Sequence, residues 1–178
     1  MTVPYPAAQP VLRAPEGTNP STLWLWLIVV LSALICIPSF IYLATIDFSG
    51  FFRSTMDTSD PFAVYGFLLT PAYAASLAAT AIGYIGTALF AYLDYRTLTA
   101  RAVPRPFHWA TALVPSYGTY VYVIGRAIVV HRRTGGGLAP LWVFVALNVL
   151  TFIATLALTL ILMNAMLSDL NDLLPTYR

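Results

Sequence analysis

"VYVIGRAIVVHRRTGGG", residues 121–137, decides how often this chain crosses a membrane. Arg126 interrupts an apolar run, Arg132 and Arg133 close it, and three glycines follow. Extended back to residue 107, the run is long enough to cross about 30 Å of hydrocarbon, which takes roughly 20 helical residues. Length therefore leaves two topologies open, and charge must separate them.

If residues 107–125 span and the N-terminus lies inside, then Arg13, Arg96, Arg101, Arg105 and Arg178 fall inside. Arg53, Arg126, Arg132 and Arg133 then fall outside. Five against four is almost no asymmetry, whereas short cytoplasmic loops carry an excess of basic residues. If the segment instead dips in and returns, broken at Pro115, Ser116 and Gly118, the inner side gains Arg126, Arg132 and Arg133. Seven arginines and two acids (Glu16, Asp94) then lie inside. Two arginines and five acids (Asp47, Asp57, Asp60, Asp169, Asp172) lie outside. Tyr122, Arg126 and Arg133 also fall near one helical face among aliphatic neighbours, as in an interfacial helix whose arginines reach headgroups or water.

The expectation is an all-α integral membrane protein with three spanning helices plus a broken re-entrant or interfacial helical segment; four spanning helices are the alternative. Composition agrees, since 59% of residues are apolar and 9% charged, against about 45–50% and about 25% in soluble domains. The basic residues are all arginine, which fits genome composition as well as bidentate phosphate chemistry. The orientation places the chain in the cell inner (plasma) membrane, multi-pass, with a cytoplasmic N-terminus.

Outward from this segment, residues 1–20 carry five prolines and little apolar periodicity, and read as a disordered tail. Residues 21–168 read as one helical membrane domain, and 169–178 as a short polar C-terminal tail. The first apolar run is too long for a cleavable secretory signal and should persist as an anchor. Asn19 and Pro20 offer a cap and a first helical position for it, Trp24 and Trp26 suit the headgroup level, and Pro38 predicts a kink. Residues 59–71, with Asp60 and Pro61 at the start, suit a short interfacial helix. In the second membrane helix, about residues 72–95, Ala75, Ala79, Gly83 and Thr87 recur every fourth position with Gly86 beside them, a face that lets another helix approach closely. The partner can belong to this chain or to another. In the last, about residues 140–166, Asn148, Thr151, Thr155 and Thr159 share one face and need polar partners, from protein, a wet crevice or their own helix.

The stretches "RPFHWA", "VYVIGR" and "HRRTGGGLAPLW" resemble those of small bacterial multi-helix membrane proteins of unknown function, over residues 94–142. The resemblance implies that this segment is one unit, and carries no activity with it.

Catalytic chemistry has little to stand on. His108 and His131 belong to no metal-ligating pattern, the lone Cys36 reads as a packing residue, and Gly135, Gly136 and Gly137 lack the Gly-Lys-Ser/Thr of a phosphate loop. We therefore expect no catalytic residues, no metal, no cofactor and no nucleic-acid partner. Arg96, Arg101, Arg105, Arg126, Arg132 and Arg133 are expected to meet anionic lipid headgroups or a partner protein. Asp94 and Arg126, placed near membrane edges, give no buried ionisable group for pumping. The expected role is a non-catalytic accessory or stabilising subunit of a membrane assembly, binding the lipid bilayer and other membrane subunits or itself. A homo-oligomeric channel or small-solute transporter is the alternative.

Overall fold

Leucine, tryptophan and valine from position 23 onward start the first helix, α1 (Leu23–Leu34), and a second, α2 (Cys36–Thr45), continues it after Ile35. The structure is a computed structural model and describes residues 13–47, 50 and 62–173. Proline has no N–H to donate to the Leu34 carbonyl, so Pro38, where a kink was expected, interrupts the helical ladder one turn earlier, at Ile35, whose backbone keeps helical dihedrals. A 3₁₀ turn at Ala63–Leu69 stands where a short interfacial helix was expected, and its predicted start at Asp60 and Pro61 lies outside the described residues.

The remaining helices are α3 (Pro71–Ala100), α4 (Gly118–Thr134) and α5 (Ala139–Leu173), with a 3₁₀ turn at Trp109–Leu113 before α4. α3 opens with Pro71 in the first helical position and the Thr70 hydroxyl accepting from the Tyr73 N–H at 3.2 Å. It runs five residues beyond its expected end. α5 likewise continues past the expected residue 166. Among the described residues there is no strand. Leu23–Thr45, Pro71–Ala100 and Ala139–Ser168 are each long and apolar enough to cross a membrane.

The chain divides into two compact units. One comprises Leu27–Thr87 with the described residues from Trp142 onward. Within it, Gly83 and Gly86 of α3 lie against Ile35 and Leu31, and a β-carbon at Gly86 would come within 2.8 Å of the Leu31 side chain. The small-residue strip is thus occupied by this chain's own first helices at Gly83 and Gly86, while Thr87 is buried, Ala79 half-buried and Ala75 exposed. The rings of Tyr42 and Tyr73 meet nearby, 5.3 Å apart. Along α5, the most apolar stretch has no buried residue, and Trp142, Leu150, Phe152 and Ile161 are well exposed.

The other unit holds the described residues up to Trp26 together with Ala88–Leu141. Here α4 buries Gly118, Tyr122, Val123, Arg126, Ala127 and Val130 on one face, while Val121, Ile124 and Ile128 point outward. Residues 107–125 do not form one helix. His108 caps the 3₁₀ turn by accepting the Ala110 N–H on Nδ1, residues 115–117 turn with Ser116 at positive φ, and α4 begins at Gly118. Gly118 packs on the Ala112 backbone so closely that a β-carbon would collide with that carbonyl. At the far end, Gly135 adopts the left-handed conformation and ends α4 by donating to the His131 carbonyl at 2.8 Å. Arg133 Nη1 donates to the carbonyls of Pro104 and Arg105. Leu98, Val103 and Val130 form a small buried cluster beside this contact, so the two ends of the segment meet.

The Pro-rich tail was expected to extend to residue 20, and its residues 1–12 lie outside the described ones. Residues 13–20 correct that expectation. Ala14 donates to the Arg133 carbonyl at 3.0 Å and packs against the Leu98–Val103–Val130 cluster, which ties this strap to α4. The C-terminal residues 174–178, including Arg178, and the loop residues Arg53 and Asp57 are also outside the described set.

Candidate functional site

The strap continues into an extended turn, residues 18–22, that presents consecutive carbonyls to arginines. Arg101 Nη1 donates to the carbonyls of Asn19 and Ser21 at 2.8 and 2.7 Å, and Arg126 Nη2 donates to that of Pro20 at 2.7 Å. Three carbonyls that no helix or strand satisfies are thereby paired with two cations. The turn ends at Thr22, whose hydroxyl accepts from the Leu25 N–H at 3.3 Å and so caps α1. That cap stands three residues after the expected Asn19, because Asn19 accepts instead from the Ser21 N–H at 2.9 Å.

Beneath the strap lies a buried polar cluster. Asp94 of α3 and Arg126 of α4 are fully enclosed and form the only ion pair among the described residues. Arg126 Nε reaches Asp94 Oδ2 at 3.2 Å and Nη2 reaches Oδ1 at 3.4 Å, the side-on fork that suits guanidinium and carboxylate. Thr22 donates its hydroxyl to Oδ1. The Tyr122 hydroxyl donates to Oδ2 at 2.7 Å and lies 3.1 Å from the Ala91 carbonyl. Burial, reinforced by the Asp94 carboxylate, pushes the Tyr122 phenol well above its ordinary range and keeps it a donor. Arg126 Nη1 is buried without a hydrogen-bond partner.

This cluster corrects two expectations. Arg126 does not reach headgroups, and Asp94 and Arg126 are an interior pair rather than solvated edge residues, because each supplies the charge the other needs to be buried. A signal was present in the sequence: Tyr122 and Arg126 are four apart on one helical face, and Asp94 is the only carboxylate in a long apolar stretch. Thr22 carried no such signal.

The other singled-out residues lie apart from the cluster. Arg96 is exposed, with its guanidinium 5.9 Å from the Tyr92 ring centre. Arg105 and Arg132 are exposed, while Arg133 is half-buried and tied to the two carbonyls already named. Burial and the adjacent Arg105 guanidinium lower the Arg133 pKa. On α5, Thr155 and Thr159 are exposed and donate to the carbonyls of Thr151 and Thr155, each at 2.8 Å, and Asn148 donates to that of Phe144 at 2.8 Å. Of the sources expected for the stripe's polar partners, the helix itself supplies these. No group of three or more metal-ligating side chains is present among the described residues.

A cavity of about 780 Å³ opens between the strap and the C-terminal end of α4, lined by residues 13–20 and 132–135. Comparisons with protein families, with curated proteins and with solved structures found no match.

Proposed function

We propose that this chain is a non-catalytic integral membrane protein of the cell inner membrane that serves as an accessory or stabilising subunit of a larger assembly. Its three apolar helices sit in lipid with the N-terminus in the cytoplasm, and the segment after α3 returns to the side it left. In support of that return, Arg133 bonds the carbonyls of Pro104 and Arg105, whereas a straight helix through the same residues would separate its ends by about 40 Å.

The observation that carries the functional reading is how the polar interior is used. Both oxygens of Asp94 accept from Thr22, Tyr122 and Arg126, so the buried carboxylate is engaged in holding three chain segments together. A general base or a transport carboxylate needs an open side toward its substrate. The unburied apolar length of α5 supplies surface for lipid or for a neighbouring subunit. The channel alternative draws less support, because the hydroxyls of Thr155 and Thr159 are bonded within their own helix.

Gentle extraction of the protein into nanodiscs from its native membrane, followed by native mass spectrometry, tests this proposal. A stoichiometric foreign subunit is expected. The chain recovered alone would refute the accessory role, and a closed ring of identical copies would replace it with the channel.

A further inference from the structure

We propose that the cavity between the 13–20 strap and the end of α4 binds a phosphate group, with Arg13, Arg132 and Arg133 as its cationic contacts. The proposal rests on the membrane reading above for its setting, and on the cavity's own geometry for its chemistry. The volume of about 780 Å³ lies within the range of small-molecule sites. Its three arginines face a single acid, Glu16, and none is ion-paired with it. Arg105 adds a fourth positive charge next to Arg133. Such a concentration of cations is repulsive in the free protein and favours an anion with several acceptor oxygens, which guanidinium groups grip in pairs.

A helix C-terminus ordinarily repels anions, and here that effect is muted. The carbonyls of Val130, His131 and Arg133 are taken by the Thr134 hydroxyl, the Gly135 N–H and the Ala14 N–H. Arg133 is held in place by two carbonyls through Nη1, which leaves Nε and Nη2 to donate. Asn19, whose side-chain oxygen accepts from Ser21, keeps its amide nitrogen for the same wall. The source of the phosphate is either a lipid headgroup or a free phosphate.

The test uses the full chain in nanodiscs of phosphatidylcholine, with phosphatidylglycerol titrated in as one arm and inorganic phosphate as the other, binding being read by native mass spectrometry and by calorimetry. At about 1 kcal/mol per basic residue near an anionic surface, the Arg13→Gln/Arg132→Gln variant should lose about tenfold or more in affinity. Arg96→Gln, elsewhere on the same unit, should lose little, and Glu16→Gln should bind more tightly. Saturable binding in the phosphatidylglycerol arm alone assigns a headgroup, and in the inorganic phosphate arm a free phosphate. No saturable binding in either arm, equal losses for the double variant and Arg96→Gln, or no gain for Glu16→Gln would each overturn the site. Because the foreign subunit is scored on particles extracted from the native membrane and phosphate binding on the reconstituted chain, loss of the site and loss of the accessory role are distinguishable.

Discussion

Replacing Asp94 by asparagine keeps the shape of the side chain and removes the only charge among the described residues that pairs with Arg126. The guanidinium then stays enclosed with a neutral neighbour, and the new amide nitrogen faces groups that themselves donate. Losing one neutral interhelical hydrogen bond in a membrane protein costs about 0.6 kcal/mol on average, so the bonds from Thr22 and Tyr122 alone predict a small effect. Stranding a buried charge costs about 3–5 kcal/mol, and that larger effect should dominate. Against a total stability of about 5–15 kcal/mol it is severe. Arg126→Met strands the carboxylate instead and should cost a similar amount. The double variant leaves no unpaired charge and should cost no more than either single change, giving a coupling of about 3 kcal/mol or more. Unfolding by SDS from lipid–detergent micelles, followed by circular dichroism, measures all four proteins. Additivity within about 0.5 kcal/mol would refute the idea that charge pairing holds this cluster.

Gly83→Leu drives a side chain into Ile35 and should destabilise the chain by about 1–3 kcal/mol in the same assay, since the strip packs within the monomer. Thr159→Val removes an exposed hydroxyl bonded to its own helix and should change stability by less than about 0.5 kcal/mol, with conductance or uptake also unchanged. The Tyr122 phenol is held above its ordinary value of 10, by burial first and by Asp94 second, so the folded state retains a proton that the unfolded chain releases. Stability due to this group is therefore full below about pH 10 and falls as pH rises beyond it, and Tyr122→Phe should flatten that alkaline loss.

The three apolar helices were legible from run length, because a bilayer needs about 20 uninterrupted apolar residues and few other structures do. The Pro115–Gly118 break was legible for a related reason: proline and glycine restrict or free the backbone locally, without reference to distant residues. The Gly83 strip could be read as a contact surface, but its occupant could not, since small residues permit approach without naming the neighbour. Arg126 shows where local pattern stops being informative. Charge counting grouped it with the arginines of the inner side as a headgroup contact, yet its side chain turns inward because Asp94, thirty-two positions earlier, waits on the adjoining helix. The ordered strap at residues 13–20 was hidden likewise. Its prolines suggested a tail, and what holds it are the carbonyl of Arg133 and the guanidiniums of Arg101 and Arg126.

Whether residues 105–133 return to the side they left is most directly tested by two single-cysteine variants, Ala100→Cys and Gly136→Cys, in a Cys36→Ser background. Ala100 is exposed at the end of α3, and Gly136 has ordinary backbone geometry with room for a β-carbon 3.5 Å from Pro20. An impermeant thiol reagent should leave both unlabelled in intact cells and label both in inverted vesicles. Labelling of position 136 from outside intact cells, with position 100 protected, would establish a fourth crossing and contradict the returning segment.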